Sequence, residues 1–190
     1  RVGTVRLVQC NFSQYSSRYD AFCAGETPPV FDPACAGGAL MDLGVYNVSY
    51  IVGLFGEPNQ AKYTANMERG IDTSGILTMD YSGFKAVSIA AKDCAAPARY
   101  IIQGTKGYIM QKSTANCCGG ITFHPNEGKE EHYNLNGGRP REAAEFETFA
   151  RAMESGDQEL CTRMQDTSIA VSRVLTVARR SAGIRFPGER

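Results

Sequence analysis

At 190 residues, with 43% apolar and 21% charged positions, the chain has the composition of an ordinary globular domain and enough length to bury a sizeable core. Twenty basic and twenty acidic residues cancel, so nothing draws it generally to nucleic acid or to an anionic membrane, and partners of those classes are not expected. The longest apolar stretch, Val45 to Phe55, is broken by Asn47, Ser49 and Gly53 and is too short to span a bilayer.

Residues 4–14 alternate well enough for a strand, and the chain enters this run at once from Arg1, which reads as a piece of something longer. A polar, aromatic segment follows, with Ser16, Ser17, Arg18, Tyr19 and Asp20. Pro28, Pro29 and Pro33 then keep the chain out of regular structure up to Gly37 and Gly38. A helix is predicted from Gly38 to Phe55, stopped by Gly56, suited to a left-handed cap, and by Pro58, which cannot continue it.

From Ala61 to Asn136 strand follows strand, near 61–69, 74–81, 85–92, 99–104, 107–111, 120–124 and 130–135. Asp72, Ser82-Gly83, Pro97, the turn from Gly104 to Gly107, and Pro125-Asn126 punctuate them, and such short connections imply antiparallel pairing. Two helices close the chain. The first, 141–155, carries Phe146, Phe149, Ala150 and Met153 at helical spacing. The second, 160–182, has Val171, Val174, Leu175 and Ala178 as its apolar stripe and Gly183 at its cap. The whole reads as an α+β domain around a mainly antiparallel sheet.

Seven cysteines are odd in number and irregularly spaced, Cys117 and Cys118 are adjacent, and no C-x-x-C occurs. They read as free thiols of a cytosolic protein, so a cytoplasmic location is expected. The sequons at Asn11 and Asn47 fall inside a predicted strand and a predicted helix, where glycosylation is not expected. His124 and His132 match no zinc-ligand spacing, so no metal is expected. Lys129 to Glu131 and the pair Arg179-Arg180 read as solvated surface.

Chemistry concentrates on the first helix. Leu40, Leu43, Val48, Ile51, Val52 and Phe55 can face a core, while Asp42, Tyr46, Ser49/Tyr50 and Gly53 make a second stripe of polar and small residues. Asp42 and Tyr46 are four apart, which stacks a carboxylate and a phenol on one face about a turn apart. Gly44 and Gly53 each cost roughly 1 kcal/mol against alanine inside a helix, which suggests close approach of a backbone or a ligand. Spacing alone leaves a plainer use open, a polar stripe facing solvent or another helix.

The run Gly37-Gly38-x-x-x-Asp42-x-Gly44-x-Tyr46, with its apolar helix ending at Phe55-Gly56-Glu57-Pro58, resembles the second-domain signature of the Gfo/Idh/MocA oxidoreductases. Residues 15–20, 102–109 and 182–187 agree in the family's order, so the resemblance covers essentially the whole chain. It implies a large sheet with helices packed on one face, the C-terminal domain type of glucose–fructose oxidoreductase. Family members also carry an N-terminal Rossmann domain with a Gly-rich loop and a Lys-Pro motif, and no G-x-G-x-x-G is present here. The implied identity is a single C-terminal substrate and oligomerisation domain, residues 1–190, without the Rossmann half.

By resemblance, Asp42 orients substrate and Tyr46 takes the acid/base position where many members have histidine, while Arg18 and Tyr19 border the substrate. From the residues alone, a surface arginine and a packing tyrosine are as good a reading of the last two. A phenol with an ordinary pKa near 10 begins as a proton donor, and needs a cation beside it to act as a base. The implied activity is hydride transfer between NAD or NADP and an alcohol or carbonyl of a sugar-like or polyol-like small molecule. The dinucleotide would be held mainly by the Rossmann domain, so this stretch alone should bind none and be silent. A homodimer or tetramer through the open sheet face is implied as well. The competing reading is a non-catalytic binding or oligomerisation module of the same fold; a thiol-rich redox or metal protein is a remoter one.

Overall fold

The computed structural model of the chain describes residues 1–134 and 136–189. Its frame is an eight-stranded sheet of β1 (Val5–Ser13), β2 (Gln60–Glu68), β3 (Ile71–Asp80), β4 (Lys85–Ala91), β5 (Arg99–Gly104), β6 (Gly107–Gln111), β7 (Ile121–Pro125) and β8 (Glu131–Tyr133). The spatial order is β2-β3-β4-β1-β5-β6-β7-β8. Neighbouring strands run antiparallel except for β1 and β4, which are parallel, with Gln9 opposite Val87 on one side and Ile101 on the other. The mainly antiparallel α+β reading therefore holds.

Alternation decides which side of the sheet is covered. Val8, Cys10, Leu77, Met79, Tyr100 and Ile102 point to one face and are buried under Val48 and Ile51 of α2 (Val45–Phe55) and Val171, Val174, Leu175 and Ala178 of α4 (Gln158–Ser181). Each such side chain contributes roughly 1.5–3 kcal/mol on burial, which makes this layer the main source of stability. The opposite face is open: Leu7 and Ile76 remain 45% and 48% exposed. Residues 33–55 are apolar enough to cross a membrane by length and composition, yet half of that stretch is buried inside the domain, as expected of a core helix.

Several local expectations change. Between Asp20 and Gly37 the chain is not irregular: α1 (Tyr19–Cys23) is followed by two 3-10 turns, Pro29–Phe31 and Pro33–Cys35. Each turn opens with proline, whose fixed φ suits a first helical position, and Asp32 caps the second by accepting from the Ala34 N–H at 2.8 Å. The turn expected at Asp72 lies at Arg69 and Gly70, which take φ +50° and +82°, and Asp72 is inside β3. The predicted strand at 130–135 shrinks to β8, and Leu135 lies outside the described residues. In α3 (Ala143–Ser155) Phe146, Phe149 and Met153 do share helical spacing, but they stand 71%, 47% and 83% exposed.

Arg179 corrects another expectation, because it is 3% exposed rather than solvated. Its guanidinium donates to Glu189 Oε2 at 2.6 Å and to the Ile184 carbonyl at 3.0 Å, and lies over the Phe186 ring. The Arg179 guanidinium holds the Glu189 carboxyl down from 4.5 to about 2, helped by the Phe186 N–H. A depressed carboxyl stabilises the fold above its unfolded pKa, and that contribution fades as pH falls from about 4.5 through 2. In Glu189→Gln, thermal unfolding should therefore begin at lower temperature at pH 7 and lose less than wild type between pH 5 and 2. Parallel curves for the two proteins would show that the pair contributes nothing.

Candidate active site

The double glycine opens the site. Gly37 presses on Val30, where a β-carbon would lie 2.8 Å from the Val30 carbonyl carbon. Gly38 has φ +106°, and a β-carbon there would meet Asp72 Oδ1 at 2.0 Å. That space belongs to Asp72, a 1% exposed carboxylate that accepts from the Leu40 N–H at 2.7 Å and the Tyr63 O–H at 2.9 Å. Burial pushes its pKa up, against the pull of those two donors and of Lys92. Asp72 is thus the cap of the first helical turn, contributed by a strand rather than by the preceding residue.

The predicted single helix is split. Leu40–Gly44 form one π-helical turn, and α2 continues from Val45. One-turn π insertions re-aim the side chains they carry and recur at functional sites. Gly44 faces the sheet, its absent β-carbon 3.1 Å from Leu40 Cδ1 and at ordinary contact distance, 3.6 Å, from Ala90 Cβ. At Gly53 the expectation of close approach fails, since nothing stands within 4 Å.

Asp42, on the π turn, directs Oδ2 to the ammonium of Lys92 at the end of β4. Tyr46, one turn on, rests its ring on Phe12 of β1 with centroids 5.6 Å apart and is 39% exposed. No hydrogen bond joins Asp42 and Tyr46 among the described residues. Beneath Tyr46 the helix is pinned by Asn47, which is 0% exposed. Asn47 donates to Ser88 Oγ and the Ile89 carbonyl, both at 2.9 Å, and accepts from the Tyr100 O–H at 2.5 Å. Burial raises the Tyr100 hydroxyl pKa, keeping it a donor. The sequon at Asn47 is therefore enclosed, in line with the sequence reading.

Tyr46 forms part of the wall of a cavity of about 710 Å³, within the range of small-molecule sites. Around it stand Asn116, Tyr133 at the end of β8, Asn134, Asn136, Arg139 and Arg141. Arg139 is held in a fork by Glu147, both contacts at 2.9 Å, and Arg141 is paired with Glu142. The Glu142 pair raises the Arg141 pKa.

Of the four residues singled out from the sequence only Tyr46 lines that cavity; Asp42, one turn before it on the helix, and Arg18 and Tyr19 do not. Arg18 is exposed beside Ser17 Oγ at 3.3 Å. Tyr19 donates to Glu68 Oε2 at 2.9 Å and packs on Phe22 and Phe31. The Glu68 carboxylate, then burial, pushes its hydroxyl pKa up. Arg69 fastens this aromatic lobe, lying over Phe22 and donating to the carbonyls of Phe22, Gly25 and Glu26. The two histidines bracket Glu130, at 3.0 and 3.2 Å, and no group of three or more metal-ligating side chains occurs among the described residues.

Sequence reasoning passed over Lys92, Asp72 and the Arg139–Arg141 loop. For Lys92 a signal existed: Ala86, Ser88 and Ala90 of the same strand are buried, and the parity carries on to residue 92.

A family model described as the GFO/IDH/MocA C-terminal domain matches residues 1–110. The chain is 30% identical over 190 residues to scyllo-inositol 2-dehydrogenase (NADP(+)) IolU of Bacillus subtilis (strain 168), covering 100% of this chain and 58% of that protein. It is 32% identical over 194 residues to the uncharacterized oxidoreductase YgjR of Escherichia coli (strain K12), covering 100% and 57%. The chain thus spans less than three fifths of the length of these relatives. Among solved structures, an inositol dehydrogenase homolog complexed with NAD+ from Azotobacter vinelandii superposes with a TM-score of 0.72 at 14% identity, covering 96% of this chain and 57% of that one, a likeness of fold.

Proposed function

This chain belongs to the GFO/IDH/MocA family of oxidoreductases, and from that premise we propose that it is the substrate-side domain of an NAD(P)-dependent dehydrogenase acting on a sugar-like or polyol-like small molecule. The observation that carries the reading is Tyr46, an accessible phenol in the wall of a 710 Å³ cavity, one turn from a carboxylate paired with a lysine. Asn116, Asn134 and Asn136 supply neutral donors and acceptors suited to hydroxyl groups. The relatives' printed activities, an inositol dehydrogenase among them, agree with such a substrate.

In this reading the Tyr46 hydroxyl donates its proton to a carbonyl oxygen as the carbon is reduced, and in the oxidation direction takes it back from the alcohol. Arg141 lines the same cavity as the phenol and is paired there with Glu142. Asp42 accepts from a substrate hydroxyl and fixes which carbon faces the hydride. Tyr19, with Arg18 next to it in the chain, is placed on the Asp42 side outside the cavity wall, because Tyr19 packs on Phe31, whose ring lies 4.8 Å from the Lys92 ammonium.

The dinucleotide supplies or accepts the hydride. For its pyrophosphate the cavity lining offers no glycine-rich phosphate loop, and its two arginines are each paired with a glutamate. We therefore assign its binding mainly to a separate Rossmann domain. Isothermal calorimetry of the 190-residue chain with NADPH should show no binding at micromolar concentrations, and a micromolar Kd would reverse the assignment of the two halves. Self-association through the open face, where Leu7 and Ile76 stand exposed, belongs to the same proposal.

A further inference from the structure

We propose that Lys92 is a positioning residue for this site, holding Asp42 by one carboxylate oxygen and leaving the other aimed at substrate, a role that rests on the reading of Asp42 given above. The side chain of Lys92 is 2% exposed, whereas that of its partner is 40% exposed. The asymmetry is informative. Asp42 could be solvated without help, so the pair is not needed to rescue a buried carboxylate. Burying the ammonium is the costly half, and removing one member of a buried pair destabilises where the other is left buried and unpaired; Asp42, its side chain 40% exposed, would not be. Rescue of the Asp42 carboxylate is therefore a poor account of the pair, although the field of Lys92 also reaches buried Asp72.

The geometry suits orientation. Residue 92 is fixed on both sides of its backbone, its N–H donating to the Thr73 carbonyl and its own carbonyl accepting from the Ser16 N–H, both at 2.8 Å. The ammonium lies over the Phe31 ring, 4.8 Å from its centre. It is therefore a cation built into the sheet frame. The carboxylate it holds sits on a π turn whose start is tied to Asp72, and Asp72 is itself within the field of Lys92. Only Oδ2 of Asp42 is engaged, and Oδ1 has no protein partner among the described residues. An ionised oxygen fixed in direction and left free is what a neighbouring substrate hydroxyl requires. The π turn alone would leave the Asp42 side chain free to change rotamer; the lysine removes that freedom.

The test replaces Lys92 by methionine in the 190-residue chain and reads the χ1 couplings of Asp42 by NMR, with the melting temperature alongside. Expected are a single Asp42 rotamer in wild type, averaged couplings in Lys92→Met, and a melting temperature unchanged or higher. One retained rotamer in the variant, a large fall in melting temperature, or failure to fold would each overturn the role. In the enzyme carrying both domains, with scyllo-inositol and NADP+ as probes, Lys92→Met should lower kcat by roughly 10- to 100-fold with the KM for NADP+ within twofold. Combined with Asp42→Asn it should add no further loss, because it acts through that carboxylate. Multiplying losses would sink the proposal. Full activity of Asp42→Asn and Tyr46→Phe would instead remove the reading of the site on which it rests.

Discussion

Tyr46→Phe, in the enzyme that carries this domain, should lower turnover by a factor of roughly 10²–10⁴, the usual share of a positioned proton donor, and leave folding intact. The ring keeps its packing on Phe12, and its hydroxyl makes no hydrogen bond to another described residue. What disappears is the proton that Tyr46 offers to an oxygen inside the cavity. Steady-state rates in both directions check this, with circular dichroism to verify the fold. A variant within threefold of wild type would leave the domain as a binding or assembly module. The oxidation direction should suffer at least as much, since there the phenol must first surrender its proton.

Gly38→Ala should cost the domain at least a third of its stability. The residue sits at φ +106°, and its new β-carbon would meet Asp72 Oδ1 at 2.0 Å. A non-glycine residue in left-handed backbone costs about 1–2 kcal/mol by itself. Displacing the carboxylate also strands the Leu40 N–H and the Tyr63 O–H in a dry interior, at roughly 1–3 kcal/mol each. A loss on the order of 5 kcal/mol stands against a net stability of roughly 5–15 for a domain. Urea unfolding measures it. A midpoint that moves by less than the equivalent of about 1 kcal/mol would mean that Asp72 yields without its hydrogen bonds, and would reduce the glycine pair to a simple turn.

The strands were legible because their faces differ. Val8 and Cys10 alternate with exposed Leu7 and Gln9 in β1, and the turn from Gly104 to Gly107 lies between β5 and β6 as the glycines indicate. The parallel pairing of β1 with β4 left no local trace, since both partners are ordinary alternating strands far apart in the chain. Asp72 read as a turn residue because aspartate usually is one; its function as a cap depends on a helix that starts more than 30 residues earlier. The π turn escaped because a single extra residue per turn barely disturbs an apolar pattern. Arg179 looked like a surface charge until the chain folded back and brought Glu189 to it at 2.5 Å.

Of the site, Asp42 and Tyr46 stood out by spacing and by resemblance to a family signature. The loop bearing Arg139 and Arg141 did not, because loop sequences carry little information about the cavity they enclose. Arg18 and Tyr19 divide instructively. The tyrosine is absorbed into an aromatic lobe with Phe22 and Phe31, and the arginine stays on the surface beside Ser17.

The central place of β1 also governs how the domain is made. Its two neighbours are residues 85–91 and 99–104, so the first strand leaves the ribosome about a hundred residues before its last partner strand does. At roughly 5–20 residues per second that interval lasts several seconds. Throughout it, an apolar strand with Val5, Leu7 and Val8 has both edges unpaired. The sheet closes late, and the nascent chain depends on the middle strands arriving before another protein's edge does.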